Sequence, residues 1–224
     1  MKKIIVQTII TSLIGLIVLG GVLCLAAGTL SYWQGWLFSV VFMLCNAQQG
    51  IYLAIKDPAL LERRKQLTAD AQSTTQKIFT YVGPGSLIAM MIVSALDHRF
   101  GWSQMPIYVT GIGVVLILVS YYIYYLVFKQ NSYAATTVQT FEGQKVISTG
   151  MYGIVRHPKY VGDLFLVVGI PLVLGSWWGL VFLLITLPSL AVRILDEEKL
   201  LRKDLPGYAD YKHKVQYRLV PGLW

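Results

Sequence analysis

Two clusters of polar residues interrupt an otherwise apolar stretch in the last third of the chain. The first reads Gly150-Met151-Tyr152-Gly153-Ile154-Val155-Arg156-His157-Pro158-Lys159-Tyr160 and continues to Gly162-Asp163. Its glycines allow tight turning and close approach of backbone to a ligand. Pro158 has the preset φ and missing donor of a first helical residue. Arg156, His157 and the tyrosines would then gather at a helix N-terminus, where N–H groups and the helix dipole favour an anionic ligand. The alternative is a basic segment that meets lipid headgroups.

The second cluster reads Arg193-Ile194-Leu195-Asp196-Glu197-Glu198-Lys199. Arg193 and Glu197 are four residues apart and share one helix face, yet Arg before Glu is the weaker order for a plain surface pair. Three acids and an arginine beside apolar sequence are costly unless they are paired or used. If the two clusters meet, they form a pocket with a basic wall and an acidic wall, suited to a zwitterion or to two ligands of opposite charge.

Whether they meet depends on the apolar elements around them. The chain has 224 residues, 55% hydrophobic and 13% charged, with a mean hydropathy of +0.59. Soluble domains carry roughly 25% charged residues. Five apolar blocks can be read: Ile4–Ala27, Leu30–Ile55, Ile78–Leu96, Ile107–Phe128 and Val161–Leu195. The first four suit the roughly 20 residues of a transmembrane helix. The block after Met1-Lys2-Lys3 is too long for a signal-peptide core and is read as a retained first span. If these spans alternate, every one of the 19 lysines and arginines except Arg99 falls on one side. The positive-inside rule makes that side cytoplasmic and puts both termini there. Topology thus accounts for the net charge of +8, and no nucleic-acid partner is implied. Trp33, Trp36 and Trp102 fall at the opposite ends of their spans, where indoles anchor, and the tyrosines of Tyr121–Tyr125 read as an interfacial belt.

The fifth block decides the geometry. It is too long for one ordinary span, and Pro171, Gly175 and Ser176 interrupt it near the middle. A helical hairpin that enters and returns on the cytoplasmic side would bring the second cluster back beside the first; a single crossing would leave them on opposite faces. The expected fold is therefore an all-α polytopic bundle of about four full spans plus a C-terminal hairpin, with a cytoplasmic-side pocket. Residues 1–128 form the spans and 129–224 the catalytic region. The tail from Leu200 to Trp224 is expected to pack over the site through Tyr208, Tyr211, Val215 and Leu219. Cys24 and Cys45 lie inside apolar blocks without ligand spacing, so they read as packing residues and no metal is expected.

From Asn131 to Trp224 the chain resembles the isoprenylcysteine carboxyl methyltransferase family, in particular its small bacterial and archaeal members. The resemblance rests on Val138-Gln139, the Lys145–Gly150 stretch, Tyr152, Arg156-His157-Pro158-Lys159-Tyr160, and Arg193 followed by Glu197-Glu198. Leu205-Pro206-Gly207-Tyr208, Tyr211 and Arg218-Leu219-Val220-Pro221 extend it. It implies a multi-pass protein of a prokaryotic plasma membrane that takes S-adenosylmethionine as methyl donor. Gln139, Gln144, Lys145, Val146, Ile147, Tyr152, His157, Pro158, Lys159, Tyr160 and Glu197 match cofactor-pocket positions. Arg193 matches the arginine that faces the acceptor carboxylate, so Arg193 and Glu197 are the implied catalytic pair.

The implied partners are membrane lipids and a lipophilic small-molecule or prenylated acceptor. The family's pattern is departed from at Tyr133-Ala134-Ala135-Thr136-Thr137, on the acceptor side. Two other activities compete. A phospholipid or amine N-methyltransferase would keep the donor. The string from Arg156 to Asp163 is also similar to membrane sterol reductases, which use a nicotinamide dinucleotide.

The expected topology is checked by labelling single cysteines from outside intact cells. A cysteine at Ser103 should react and one at Lys212 should not; external labelling at Lys212 would rule out the hairpin.

Overall fold

The structure is a computed structural model that describes residues 2–65, 74–134, 140–141 and 143–224. Among these it is all helical. Helices α1 (Lys2–Ala27), α2 (Trp33–Lys56), α4 (Thr74–Phe100) and α5 (Ile107–Gln130) follow the first four apolar blocks, and the short α3 (Pro58–Lys65) follows α2. Helices α6 (Pro158–Val173) and α7 (Leu183–Asp204) come from the fifth block, and α8 (Tyr208–Lys214) from the tail. One-turn 3₁₀ segments cover Gly150–Gly153 and Trp178–Phe182. Four stretches, Val6–Ala27, Trp33–Lys56, Ile107–Gln130 and Trp178–Asp204, are long and apolar enough to cross a membrane. Side chains such as Ile10, Leu13, Ile17 and Leu184 stand exposed, as lipid contact requires. The chain is an integral membrane protein.

The fifth block is a hairpin whose break falls at Gly175, in the left-handed region at φ +73°, rather than at Pro171. Pro171 stays inside α6, near its end. Gly179 comes back so close to it that a Cβ there would lie 2.6 Å from the Pro171 ring and 2.4 Å from Ser94 Oγ. The turn lies level with the loops at the Trp33 and Trp102 ends of the other helices, so the hairpin extends to the face opposite the basic segments. Tyr32 donates its hydroxyl to the Leu174 carbonyl at 2.6 Å, and Trp177 Nε1 donates to the Gln104 carbonyl at 3.3 Å. Buried Asp97, at the end of α4, accepts from Ser176 Oγ at 2.5 Å, from Ser103 Oγ at 2.6 Å and from Ser103 N at 2.7 Å.

Glycines set how α6 stands against α5. A Cβ on Gly113 would lie 2.4 Å from the Val173 nitrogen, and one on Gly169 3.0 Å from the Gly113 carbonyl, so the two backbones touch. A Cβ on Gly162 would meet the Tyr124 ring at 2.6 Å. In a bilayer, helix association relies on such close packing by small residues. Tyr121 and Tyr124 are buried along this seam, whereas Tyr122 is exposed. The interfacial-belt reading of the tyrosine run therefore fails for these two, because α5 turns them toward α2 and α6. Tyr121 receives a hydrogen bond from Asn46 of α2, and Tyr124 donates one to Asp163 of α6.

On the basic face, α3 reaches across to the end of α5. Arg63 Nη1 donates to the Ser132 carbonyl at 2.7 Å, and its guanidinium lies 4.8 Å from both the Tyr133 and Phe141 rings. Arg64 Nη1 donates to the Ala134 carbonyl at 3.1 Å and covers the Phe128 ring at 4.4 Å.

Asp97→Ala strips partners from Ser103 and Ser176 at once. It should cost about 1–3 kcal/mol, read as a lower unfolding midpoint in detergent, and Asp97→Asn should cost less because it keeps an acceptor.

Candidate functional site

The hairpin brings the two polar clusters together on the basic face. His157 precedes α6 and Pro158 is its first residue. Glu198, 3% exposed on α7, lies opposite. Its Oε1 accepts from Arg156 Nε at 2.8 Å, lies 3.2 Å from Arg218 Nε and stands 3.4 Å from His157 Nε2. Arg156 Nη1 also donates to the Val215 and Gln216 carbonyls at 2.8 and 2.6 Å. The tail is stitched to the same segment by backbone, with Arg156 N donating to Tyr217 O and His157 N to Arg218 O. One carboxylate thus ties α6, α7 and the tail together.

Beside this node opens a cavity whose open space, counting the solvent at its mouth, is about 890 Å³. Every described residue expected at the site lines it: Gln144, Lys145, Val146, Ile147, Tyr152, His157, Pro158, Lys159, Tyr160, Arg193 and Glu197. Gln139 lies outside the described residues, as does much of the Tyr133–Thr137 departure. The lining also includes Asn131, Tyr133, Ala134, Leu201, Leu205, Tyr208 and Tyr211, which sequence reasoning did not assign to the ligand. Tyr208 and Tyr211 carry a signal in the Pro-Gly-Tyr turn and helical spacing, but that signal by itself implies packing alone.

The cavity has two unlike ends. At one, Tyr160 bridges the walls: its hydroxyl donates to Glu197 Oε2 at 2.5 Å and accepts from Arg193 Nε at 3.0 Å. Glu197 Oε1 stands 3.9 Å from His157 Nδ1. At the other end Val146, Leu201, Leu205, Tyr208 and Tyr211 line the cavity and pack, with Val215 behind them, into an apolar and aromatic cluster. Gly207, at φ +83°, lets the chain turn sharply from α7 into α8 and so sets the two tyrosines over the cavity.

The near wall is held from the other half of the chain. Gln130 Oε1 accepts from Met151 N at 3.1 Å, and Asn131 Nδ2 donates to Tyr152 OH at 2.9 Å. Gly150 takes φ +58° and passes so near Gln130 that a Cβ would lie 2.6 Å from its side chain. Burial pushes the Tyr152 phenol up to about 12 against the opposing Asn131 donation, and burial also raises Tyr208 and Tyr211. All three stay protonated at neutral pH. Tyr211 donates to the Tyr152 carbonyl at 2.7 Å. Gln144 closes its own turn, its side-chain oxygen accepting from Phe141 N at 3.0 Å.

The electrostatics differ from a simple basic wall. Arg156 is buried against Glu198 and two carbonyls. Lys159 Nζ donates to Asp163 Oδ2 at 2.9 Å and stands over the Tyr160 ring at 4.9 Å. The cations of the first cluster are therefore largely neutralised by acids of α6 and α7.

Three comparisons with known proteins bear on this site. Residues 108–205 match the family model described as phospholipid methyltransferase. The chain is 32% identical over 91 residues to a Delta(14)-sterol reductase of Mus musculus, covering 39% of this chain and 22% of that protein. It is 31% identical over 101 residues to a probable 7-dehydrocholesterol reductase of Acanthamoeba polyphaga mimivirus, covering 41% and 22%. The match thus spans less than a quarter of these relatives' length. Among solved structures, that of the eukaryotic intramembrane Ras methyltransferase, isoprenylcysteine carboxyl methyltransferase, superposes with a TM-score of 0.50 at 16% identity, over 82% of this chain and 67% of that one. The likeness read from the polar motifs is thereby borne out at the level of the fold.

Arg156→Ala would leave Glu198 buried without its main counter-charge. Breaking such a pair costs about 3–5 kcal/mol, so this variant should lose thermal stability with or without ligand present, as measured by unfolding in detergent.

Proposed function

We propose that this chain, built on the membrane fold of the isoprenylcysteine carboxyl methyltransferases, transfers a methyl group from S-adenosylmethionine to a lipophilic carboxylate at the membrane interface. The observation that carries the reading is the Arg193–Tyr160–Glu197 bridge at one end of a cavity whose other end is apolar and aromatic. Such a cavity suits a ligand with a charged end and a flat, neutral end.

S-adenosylmethionine supplies an electrophilic methyl on a sulfonium. Glu197 offers a carboxylate to balance that positive charge, and Tyr160 orients it. Arg193 presents a planar guanidinium that can hold a carboxylate by two parallel hydrogen bonds. A carboxylate is already ionised at neutral pH, so no residue has to remove a proton. Its oxygen forms the new C–O bond as the C–S bond breaks, and the bonding pair leaves with sulfur. What the protein must provide is in-line placement within about 3–3.5 Å. The polar ends of the hairpin and the basic segments support a cytoplasmic-side reaction.

An amine acceptor, the nearer alternative given the phospholipid methyltransferase match, would bring an ammonium beside Arg193 and be repelled by it. The local sequence identity favours a second reading, a nicotinamide-dinucleotide reductase. Against it, a dinucleotide brings phosphates, and the cavity's Arg156 and Lys159 are engaged by Glu198 and Asp163.

The test separates the two walls. Arg193→Lys keeps the charge but loses the planar fork, so single-turnover methyl transfer should fall at least tenfold with S-adenosylhomocysteine affinity nearly intact. Glu197→Gln should weaken that affinity itself. Wild-type protein that binds reduced nicotinamide dinucleotide and not S-adenosylhomocysteine would overturn the donor assignment, and Arg193→Lys with wild-type turnover would overturn the acceptor assignment.

A further inference from the structure

Tyr208 is 3% exposed, lines the cavity, and its hydroxyl has no hydrogen-bond partner. Buried polar groups without a partner are rare and call for an explanation. Its neighbour in the same cluster gives the contrast: the Tyr211 hydroxyl is engaged by the Tyr152 carbonyl. We infer that Tyr208 is a ligand-binding residue, its phenol donating a hydrogen bond to the nucleoside half of the bound molecule. This rests on the donor reading above and assigns which end of the donor lies where.

The chemistry around Tyr208 narrows the group it meets. The ring packs with Val146, Leu201, Leu205 and Tyr211, which suits a flat heteroaromatic face. The phenol is held protonated by burial and by the charges of Glu198 and Glu197, so it is a donor at neutral pH. Those same two carboxylates disfavour an anionic group at this spot. A neutral acceptor, a ring nitrogen or a ribose oxygen, satisfies the hydroxyl without that repulsion. The charged half then extends away from Tyr208, which leaves the sulfonium near Glu197 and the acceptor carboxylate to Arg193. The tail thereby becomes the element that recognises the base, held in place by the bonds from Arg156 and His157 to residues 215–218.

The test is calorimetric binding of S-adenosylhomocysteine and of adenosine alone to full-length wild type, Tyr208→Phe and Tyr211→Phe in detergent, together with thermal unfolding without ligand. Tyr208→Phe removes a hydroxyl that bonds to nothing in the free protein, so its unfolding midpoint should match or exceed wild type. Its affinity for both ligands should fall by roughly threefold to tenfold, the size of one hydrogen bond. Tyr211→Phe should instead lower the unfolding midpoint. Wild-type affinity for adenosine in Tyr208→Phe, or a wild type that binds S-adenosylhomocysteine but no adenosine, overturns the assignment. Loss of stability in Tyr208→Phe also overturns it, since the hydroxyl would then have a structural role. A wild type that binds adenosine through Tyr208 but not S-adenosylhomocysteine leaves this assignment standing and overturns the donor reading alone.

Discussion

Glu198 holds a carboxylate where water is nearly excluded, and most of the site's architecture follows from what it takes to keep that charge there. Arg156 answers it at 2.8 Å, His157 and Arg218 stand at 3.4 and 3.2 Å, and these partners come from two parts of the chain outside α7, the start of α6 and the tail. A buried charge is tolerated only when paired and hydrogen-bonded. Satisfying Glu198 therefore requires the start of α6, the end of α7 and the tail to converge. The cavity is the space left beside that convergence. Because Arg156 also reaches the Val215 and Gln216 carbonyls, the node extends its hold to the segment that carries the aromatic end of the cavity.

That convergence needs both arms of the hairpin to be held at depth. One anchor is steric: Gly113 and Gly169 let the backbones of α5 and α6 touch, and Gly162 lets α6 lie against Tyr124. The other is polar, at the opposite face, where Asp97 gathers Ser103 and the turn residue Ser176. Between these anchors the hairpin has little freedom to slide along its axis. A shift of one residue is 1.5 Å along a helix, enough to break the Tyr160–Glu197 and Arg193–Tyr160 bonds together.

That the same stretch of sequence is similar to both reductases and methyltransferases is understandable from the same residues. The node and the glycine seam build a cavity without specifying what fills it. Here the first cluster's cations are answered inside the protein, and the charged end rests on Arg193 and Glu197 with Tyr160 between them.

Much of this was legible in the sequence. Apolar length determined a polytopic helical protein, because backbone at membrane depth must satisfy its own hydrogen bonds, and the interruption of the fifth block pointed to a hairpin while leaving a single crossing open. The motifs named most of the described polar lining, missing Asn131, Tyr133, Tyr208 and Tyr211. Three things required the tertiary structure. The tyrosine run did not divide itself into buried and lipid-facing members, since that depends on which neighbours α5 meets. Arg156 and Lys159 read as an open basic wall, because their partners Glu198 and Asp163 are chosen by how the hairpin folds back and by one helical turn of α6. Tyr208 read as packing, because whether a hydroxyl finds a partner is a property of every group around it, most of them distant in sequence. Composition and periodicity specify local structure and the solvent it suits; which charges cancel, and which polar atom is left for a ligand, is decided only when the elements are packed together.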